Sequence, residues 1–277
     1  MRSATHYSIG EGEASAYARD GAVCLRGAIA PVWLDLIARA FERARARPSP
    51  WASDHMPERP GRFVTDLAMA QHDDELRRFV FDSPAAAIAA WLMRSSTLTF
   101  FFDTMWIKDS GVSKRTNWHQ DQPYYTVDGD QMCVLWLPLD PVPEDSALEF
   151  VRGSHRWGTW FEPMRTTDGG AFYAGSPYAP VPDVDGERAR YDILSWAMEP
   201  GDCVVFHGLT LHGGAADPRG RSARRAYSTV WLGDDARFAA RPGAARPRFE
   251  GHGLSPGDPM TCAMFPCVWP RAHGGSA

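Results

Sequence analysis

From Leu98 onward the sequence is broken into short runs of β-branched and aromatic residues bounded by turn formers, a pattern suited to short antiparallel strands and not to helices. The runs are Leu98 to Ile107, Gln131 to Leu139, Ala147 to Val151, Cys203 to His207 and Arg224 to Leu232, and the turns include Gly153-Ser154-His155 and Pro200-Gly201-Asp202. Helical spacing is gathered in front of them. Ala14 to Arg19, Pro31 to Arg45, Asp73 to Asp82, and Pro84 to Met93 behind a Ser83 cap all read as helices, with a short strand at Ala22 to Arg26. In the second of these helices Leu34, Ile37, Ala38 and Phe41 recur at helical spacing. Helices at the front and strands behind predict a mainly β fold with helical support, a double-sheet barrel of the jelly-roll type. The 277 residues are expected to form one domain: an α/β preface over 1–95, a jelly-roll core over 96–232 and an irregular tail over 233–277. Two stretches depart from this pattern. Pro48 to Gln71 carries four prolines and reads as a loop, and a Pro-, Gly- and aromatic-rich segment near 158–190 is too long for a connector and reads as a lid.

Composition narrows the partners. The formal net charge of -5, from 29 Lys and Arg against 34 Asp and Glu, comes without a basic block. Nucleic acid and anionic membrane surfaces are therefore not expected, and a small-molecule substrate is. The first residues lack the apolar run of a signal peptide, and no later segment approaches the ~18 apolar residues of a membrane span, so a cytoplasmic protein is expected. The assembly expected is a monomer or homodimer. Five scattered cysteines, Cys24, Cys133, Cys203, Cys262 and Cys267, suit reduced thiols packed in the fold rather than a disulfide framework.

The stretch that carries chemistry is Asn117-Trp118-His119-Gln120-Asp121-Gln122-Pro123-Tyr124-Tyr125. Read as a strand, it sends His119 and Asp121 to the same face, two residues apart, where an imidazole nitrogen and a carboxylate oxygen can meet one atom. A second histidine would complete the facial set of a non-haem Fe(II) oxygenase, which leaves positions open for other ligands. His212 is the residue chosen, because Gly213 and Gly214 after it leave room, whereas its competitor His207 sits where a strand residue packs. A 2-oxo acid cosubstrate such as 2-oxoglutarate has a far carboxylate that calls for a planar, permanently charged guanidinium. Arg224 and Arg225 point to opposite faces of their strand; Arg224 shares its face with the small Ala226 and Ser228 and is the clamp chosen. Aromatics in and near the lid (Trp157, Trp160, Phe161, Phe172, Tyr173 and Tyr178), with Tyr124 and Tyr125 in the motif, suit either a partly apolar substrate or simple packing. Arg152, Arg156 and Arg165 are candidate contacts for a carboxylate or phosphate.

With these residues in place the chain resembles the phytanoyl-CoA dioxygenase family of Fe(II)/2-oxoglutarate oxygenases, which includes ectoine hydroxylase. The resemblance rests on Trp118-His119-Gln120-Asp121, on Trp136 in Leu135-Trp136-Leu137-Pro138-Leu139, on Leu148 to His155, and on Gly201-Asp202 leading to His212 and Arg224-Arg225-Ala226. It implies a double-stranded β-helix (cupin-like) core, Fe(II), 2-oxoglutarate and O2 as cofactors, His119, Asp121 and His212 as iron ligands, and Arg224 as the 2-oxoglutarate clamp. It also implies Trp136 as a wall beside the cosubstrate and Met105 as a contact on the preceding strand. Gly214 stands where some members carry a serine that binds 2-oxoglutarate, with Ser228 or a water in its place. Asp121 fills the position left vacant in related halogenases, which argues against halogenation. The implied reaction oxidises a substrate C–H while 2-oxoglutarate becomes succinate and carbon dioxide, with hydroxylation of a small metabolite as the expected outcome. Two other readings use the same ligands or the same barrel: a cupin-like isomerase or hydrolase with another divalent metal as Lewis acid, and a non-catalytic jelly-roll binding protein.

Overall fold

A computed structural model describes residues 7–56, 62–110, 116–165, 169–173, 175–214, 223–241 and 247–270. Residues 166–168 and 174 of the expected lid, and Ser222 before the paired arginines, lie outside these. In chain order the elements are α1 (Glu11–Asp20), β1 (Ala22–Leu25), α2 (Pro31–Ala46), β2 (Ser53–Asp54), β3 (Phe63–Leu67), α3 (Asp74–Asp82), α4 (Ala85–Met93) and β4 (Leu98–Lys108). They continue with β5 (Thr116–His119), β6 (Val127–Asp128), β7 (Met132–Pro138), β8 (Leu148–Val151), β9 (Ile193–Ser195), β10 (Cys203–His207), β11 (His212–Gly214), β12 (Arg224–Leu232), β13 (Arg237–Phe238) and β14 (Cys267–Trp269).

Two antiparallel sheets face each other as a double-stranded β-helix, and β13 with β6 forms a third, two-stranded sheet. The larger runs β1-β10-β7-β12-β4-β3-β2, with β14 on the free end of β4; the smaller runs β5-β11-β8-β9. The larger sheet is covered on both faces, which is why β7 reads as an unbroken apolar run and is buried along its whole length. Its outer face, with Cys133, Leu135, Leu137, Tyr227 and Trp231, packs on the apolar stripes of the four helices. Its inner face, with Val134, Trp136, Phe206, Ala226 and Val230, meets Phe150 of the smaller sheet. The helices end on identifiable chemistry: the Asp73 carboxylate accepts the Glu75 and Leu76 amides at the start of α3, and Gly21 closes α1 in the left-handed region at φ 82°. No helix among the described residues is long and apolar enough to cross a membrane.

Two expectations need correction. The proline-rich stretch before Gln71 is not all loop: Phe63-Val64-Thr65-Asp66-Leu67 pairs with β4 from Phe63↔Lys108 to Leu67↔Thr104 and extends the sheet. Nor is the tail merely irregular. β14 adds to β4, and β13 pairs with β6.

Candidate active site

The motif stretch differs from a simple strand. β5 ends at His119, and Asp121 is already helical at φ -78° and ψ -43°, opening a 3-10 turn over Gln122–Tyr124. Pro123 has no amide hydrogen to continue a ladder, and the amides of Asp121 and Gln122 both donate to the Gly208 carbonyl at 3.0 Å. The turn swings Asp121 back rather than carrying it along the strand, and the convergence expected from strand alternation is reached by this other route. His119 and His212 are direct partners across β5 and β11, with ring centroids 4.2 Å apart. Asp121 Oδ1 lies 3.3 Å from His119 Nε2 and 3.8 Å from His212 Nε2.

Both rings have their tautomer fixed from behind. His119 Nδ1 donates to the Asn117 carbonyl at 2.8 Å and His212 Nδ1 to the Thr210 carbonyl at 2.9 Å, so each Nε2 turns its lone pair to the shared point. One ligand atom from each of the three residues lies within 4.8 Å of the others. Phe206 and Phe150 pack on the His212 ring, at 4.5 and 5.8 Å between centroids. Burial, then the neighbouring His119, push His212 down to about 4. Burial also opposes charge on His119, but the Asp121 carboxylate overcomes it and its pKa is raised. Asp121 is held below the usual carboxylate range although burial works against it, because both imidazoles face it. The trio thus presents an anion and two ring nitrogens to one point without a thiolate, a donor set that fits Fe(II).

His207 does not join them. Its Nε2 donates to the Asp130 carbonyl at 2.6 Å and its Nδ1 accepts the Leu209 amide at 3.0 Å, so it is a structural residue at the end of β10. Arg224 and Arg225 part as strand alternation requires. Arg225 leaves the barrel and forks onto Asp140, 2.8 Å away, whereas Arg224 lines the cavity that holds the trio, donates to the Ser146 carbonyl at 2.7 Å and lies 5.9 Å over the Trp136 ring. Trp136 and Ser228 line the same cavity, and Ser228 Oγ accepts the Trp106 indole N–H at 2.9 Å. Met105 does not reach it. It is fully buried on the outer face of β4 among the helix-side residues, and its neighbours Thr104 and Trp106 are the ones that face the cavity. Tyr125, one of the motif aromatics, is a wall residue, and Phe63, Thr116 and Phe206 are wall residues that sequence reasoning missed. The alternation in Phe63 to Leu67 was the available signal for Phe63; nothing local marks the other two.

The lid is fastened by the motif itself. Gln120 donates to the Thr159 and Leu209 carbonyls at 3.1 and 2.9 Å and accepts the Phe161 amide at 2.8 Å. The Tyr124 hydroxyl both donates to the Met164 carbonyl and accepts the Met164 amide, at 2.7 Å each, while its ring meets His119 edge-on at 5.9 Å. Tyr173 reaches back to the Pro123 carbonyl at 3.0 Å, and Arg241 from the tail lies 4.9 Å over Trp160 while donating to the Tyr125 carbonyl at 2.7 Å. Of the arginines considered for anion recognition, Arg152 is paired with Asp20 and Asp192, and Arg165 donates to the Ala171 carbonyl. Cys267 donates to the Trp269 carbonyl, and Cys262 packs against the inner core.

Comparison with known proteins supports the same architecture. A family model described as phytanoyl-CoA dioxygenase (PhyH) matches residues 17–226. A probable phytanoyl-CoA dioxygenase of Caenorhabditis elegans is 29% identical over 130 residues, covering 46% of this chain and 39% of that protein, so the match spans well under half of the relative. Among solved structures, the epimerase SnoN in complex with Fe3+, alpha ketoglutarate and nogalamycin RO superposes with a TM-score of 0.72 at 22% identity over 93% of this chain and 98% of that one. The carbocyclase SnoK from nogalamycin biosynthesis gives 0.73 at 21% identity over 94% and 96%. EctD from S. alaskensis with 2-oxoglutarate and 5-hydroxyectoine gives 0.68 at 17% identity over 88% and 85%.

Proposed function

The chain belongs to the phytanoyl-CoA dioxygenase family, and we propose that it works with Fe(II), 2-oxoglutarate and O2 and hydroxylates an unactivated C–H of a small metabolite, with His119, Asp121 and His212 holding the iron. The observation that carries this reading is the placing of three convergent ligand atoms and a guanidinium in one cavity. Fe(II) with 2-oxoglutarate supplies an oxidation in which O2 is consumed, 2-oxoglutarate leaves as succinate and carbon dioxide, and one oxygen atom enters the substrate.

The protein's own contribution is binding and orientation. The Asn117 and Thr210 carbonyls hold the Nδ1 protons of the two histidines, which keeps both Nε2 lone pairs aimed at the metal position. Asp121 remains ionised beside them and supplies the single negative charge. Arg224, steadied by Ser146 and Trp136, offers its remaining N–H groups to the far carboxylate of 2-oxoglutarate. Trp136, Phe206, Val134 and Val230 line the cavity between these two ends and exclude water there. We read the described residues as one catalytic domain, because α1 to α4 and β14 pack on the same sheet that bears Arg224. Relatives of this fold are described as an epimerase, a carbocyclase and an ectoine-related enzyme, so the outcome of the C–H oxidation is set by how substrate lies against the walls.

The test is succinate formation from 2-oxoglutarate with Fe(II) in the protein as isolated, alone and with candidate substrates. His119→Ala is expected to lower it by more than about 100-fold, since loss of a ligand should exceed the effect of losing an outer partner of a metal site. Anaerobic addition of 2-oxoglutarate to the Fe(II) protein should raise a weak visible charge-transfer band that His212→Ala loses. Undiminished succinate formation in His119→Ala would remove the assignment.

A further inference from the structure

We propose that the cavity between α3 and the C-terminal tail is a second small-molecule site, suited to a carboxylate on a flat apolar body. It measures about 440 Å³, within the range of ligand sites, and shares no lining residue with the barrel cavity that holds the three convergent ligands. The proposal is therefore independent of the reading of that cavity given above. The floor of the second cavity is apolar. Val80 on α3 and Phe100 on β4 are only 1% and 5% exposed, and Phe81 and Pro266 extend the surface against which a ring would lie.

Around this floor stand Gln71, His72, Arg77 and His252, and no Asp or Glu lines the cavity. Gln71 and His72 are brought there by an unusual turn: Ala68 takes φ 58°, a region unfavourable to a residue with a Cβ, and opens the 3-10 turn Met69–Gln71. Arg77 leaves the first turn of α3 with its guanidinium carbon 4.9 Å over the Phe81 ring, which orients the fork. On the neighbouring α2, Arg39 and Arg43 are neutralised by Glu75 and Asp73. Arg77 makes no ion pair among the described residues, so its charge is left to the cavity. His252 Nδ1 accepts the Leu254 amide at 3.0 Å, which puts the ring hydrogen of the neutral imidazole on Nε2 and makes that nitrogen a donor. Among the described residues neither this nitrogen nor the side chains of Gln71 and His72 have a hydrogen-bond partner. A guanidinium beside amide and imidazole donors, with no competing carboxylate, favours an anion, and the buried floor favours an apolar body attached to it.

The experiment titrates naphthalene-2-carboxylate into the full-length protein, with naphthalene-2-carboxamide as the uncharged counterpart of the same shape. Binding is followed by the imidazole proton resonances of His72 and His252, assigned with His72→Gln and His252→Gln. The carboxylate should move both resonances to saturation and bind at least about fivefold more tightly than the carboxamide. Arg77→Gln should weaken the carboxylate about five- to tenfold, as fits one charge-assisted hydrogen bond at a partly exposed site, and leave the carboxamide within about twofold. Arg224→Ala, in the barrel cavity, should bind the carboxylate as the original protein does. No saturable shift at either histidine, equal binding of carboxylate and carboxamide, or undiminished binding in Arg77→Gln would each overturn the proposal. Loss of binding in Arg224→Ala would place the anion in the barrel cavity and overturn it as well.

Discussion

Asp103 offers a quantitative check on the packing of the barrel against its helices. Its side chain lies on the outer face of β4 with 0% exposure, accepts the Ala70 amide at 3.1 Å on each oxygen, and accepts the Tyr227 hydroxyl at 2.8 Å. Burial pushes its carboxyl up to about 7 from an ordinary 3.8, against those hydrogen bonds and with Asp66 adding to the rise. Between about pH 4 and 7 the folded chain keeps a proton that the unfolded chain has lost. The unfolded state then binds fewer protons, so this group makes stability fall as pH rises through that window. At about 1.36 kcal/mol per unit, the interval from 3.8 to about 7 sets a ceiling of about 4 kcal/mol. Asp103→Asn keeps an oxygen for Ala70 and Tyr227 and has no proton to lose. Urea unfolding of both proteins at steps from pH 4.5 to 7.5 should show the variant gaining on the original by up to about 4 kcal/mol as pH rises. Taking the difference cancels the other carboxylates, including Asp20, whose pKa is lowered by its hydrogen bond to Arg19 and which contributes with the opposite sign. Stability curves that stay parallel across the window would refute the reasoning.

Two further substitutions probe the elements around the site. Tyr124→Phe removes the hydroxyl that serves both the amide and the carbonyl of Met164; with about 1–3 kcal/mol lost, hydrogen exchange at Met164 should speed up about 5- to 150-fold, and an unchanged rate would show that the lid is held elsewhere. Gly21→Ala places a Cβ 2.4 Å from His155 Nδ1 and 2.5 Å from Thr210 Oγ1 at a φ of 82°; strain and overpacking together should cost about 2–4 kcal/mol, read as a lower urea midpoint, and an unshifted midpoint would contradict the packing of α1 on the loop before His212.

What the sequence makes legible depends on whether the deciding force is local. β7 could be read because every one of its residues is apolar and buried, and α2 because its apolar residues recur at helical spacing. His119, Asp121, His212 and Arg224 could be read because few other roles suit those residue types at those positions. The contact that the resemblance implies for Met105 is not made, and the strand itself could not have corrected it: β4 is apolar on both faces, so its alternation does not say which face meets the helices and which the cavity. β3 and β14 escaped because each is short and takes its hydrogen bonds from β4, a partner distant in sequence. The turn at Asp121 depends on the Gly208 carbonyl, which no local pattern announces.

That turn also changes how the motif should be understood. If Trp118 to Tyr125 were a plain strand, His119 and Asp121 would face the cavity and the residues between and after them would be incidental. Folded as it is, the stretch alternates two tasks: His119 and Asp121 face the cavity, while Gln120 and Tyr124 take the backbone of Thr159, Phe161 and Met164 in hand. Gln122 binds the Gly129 carbonyl at 2.7 Å, which steadies the loop leading to β7 and Trp136. Displacing the lid therefore strains the segment that carries two of the three convergent ligands. Moving those ligands likewise loosens the lid. The coupling runs through a few buried hydrogen bonds, so substitutions at Gln120 and Tyr124, which supply no ligand atom to the trio, should alter 2-oxoglutarate and substrate binding together.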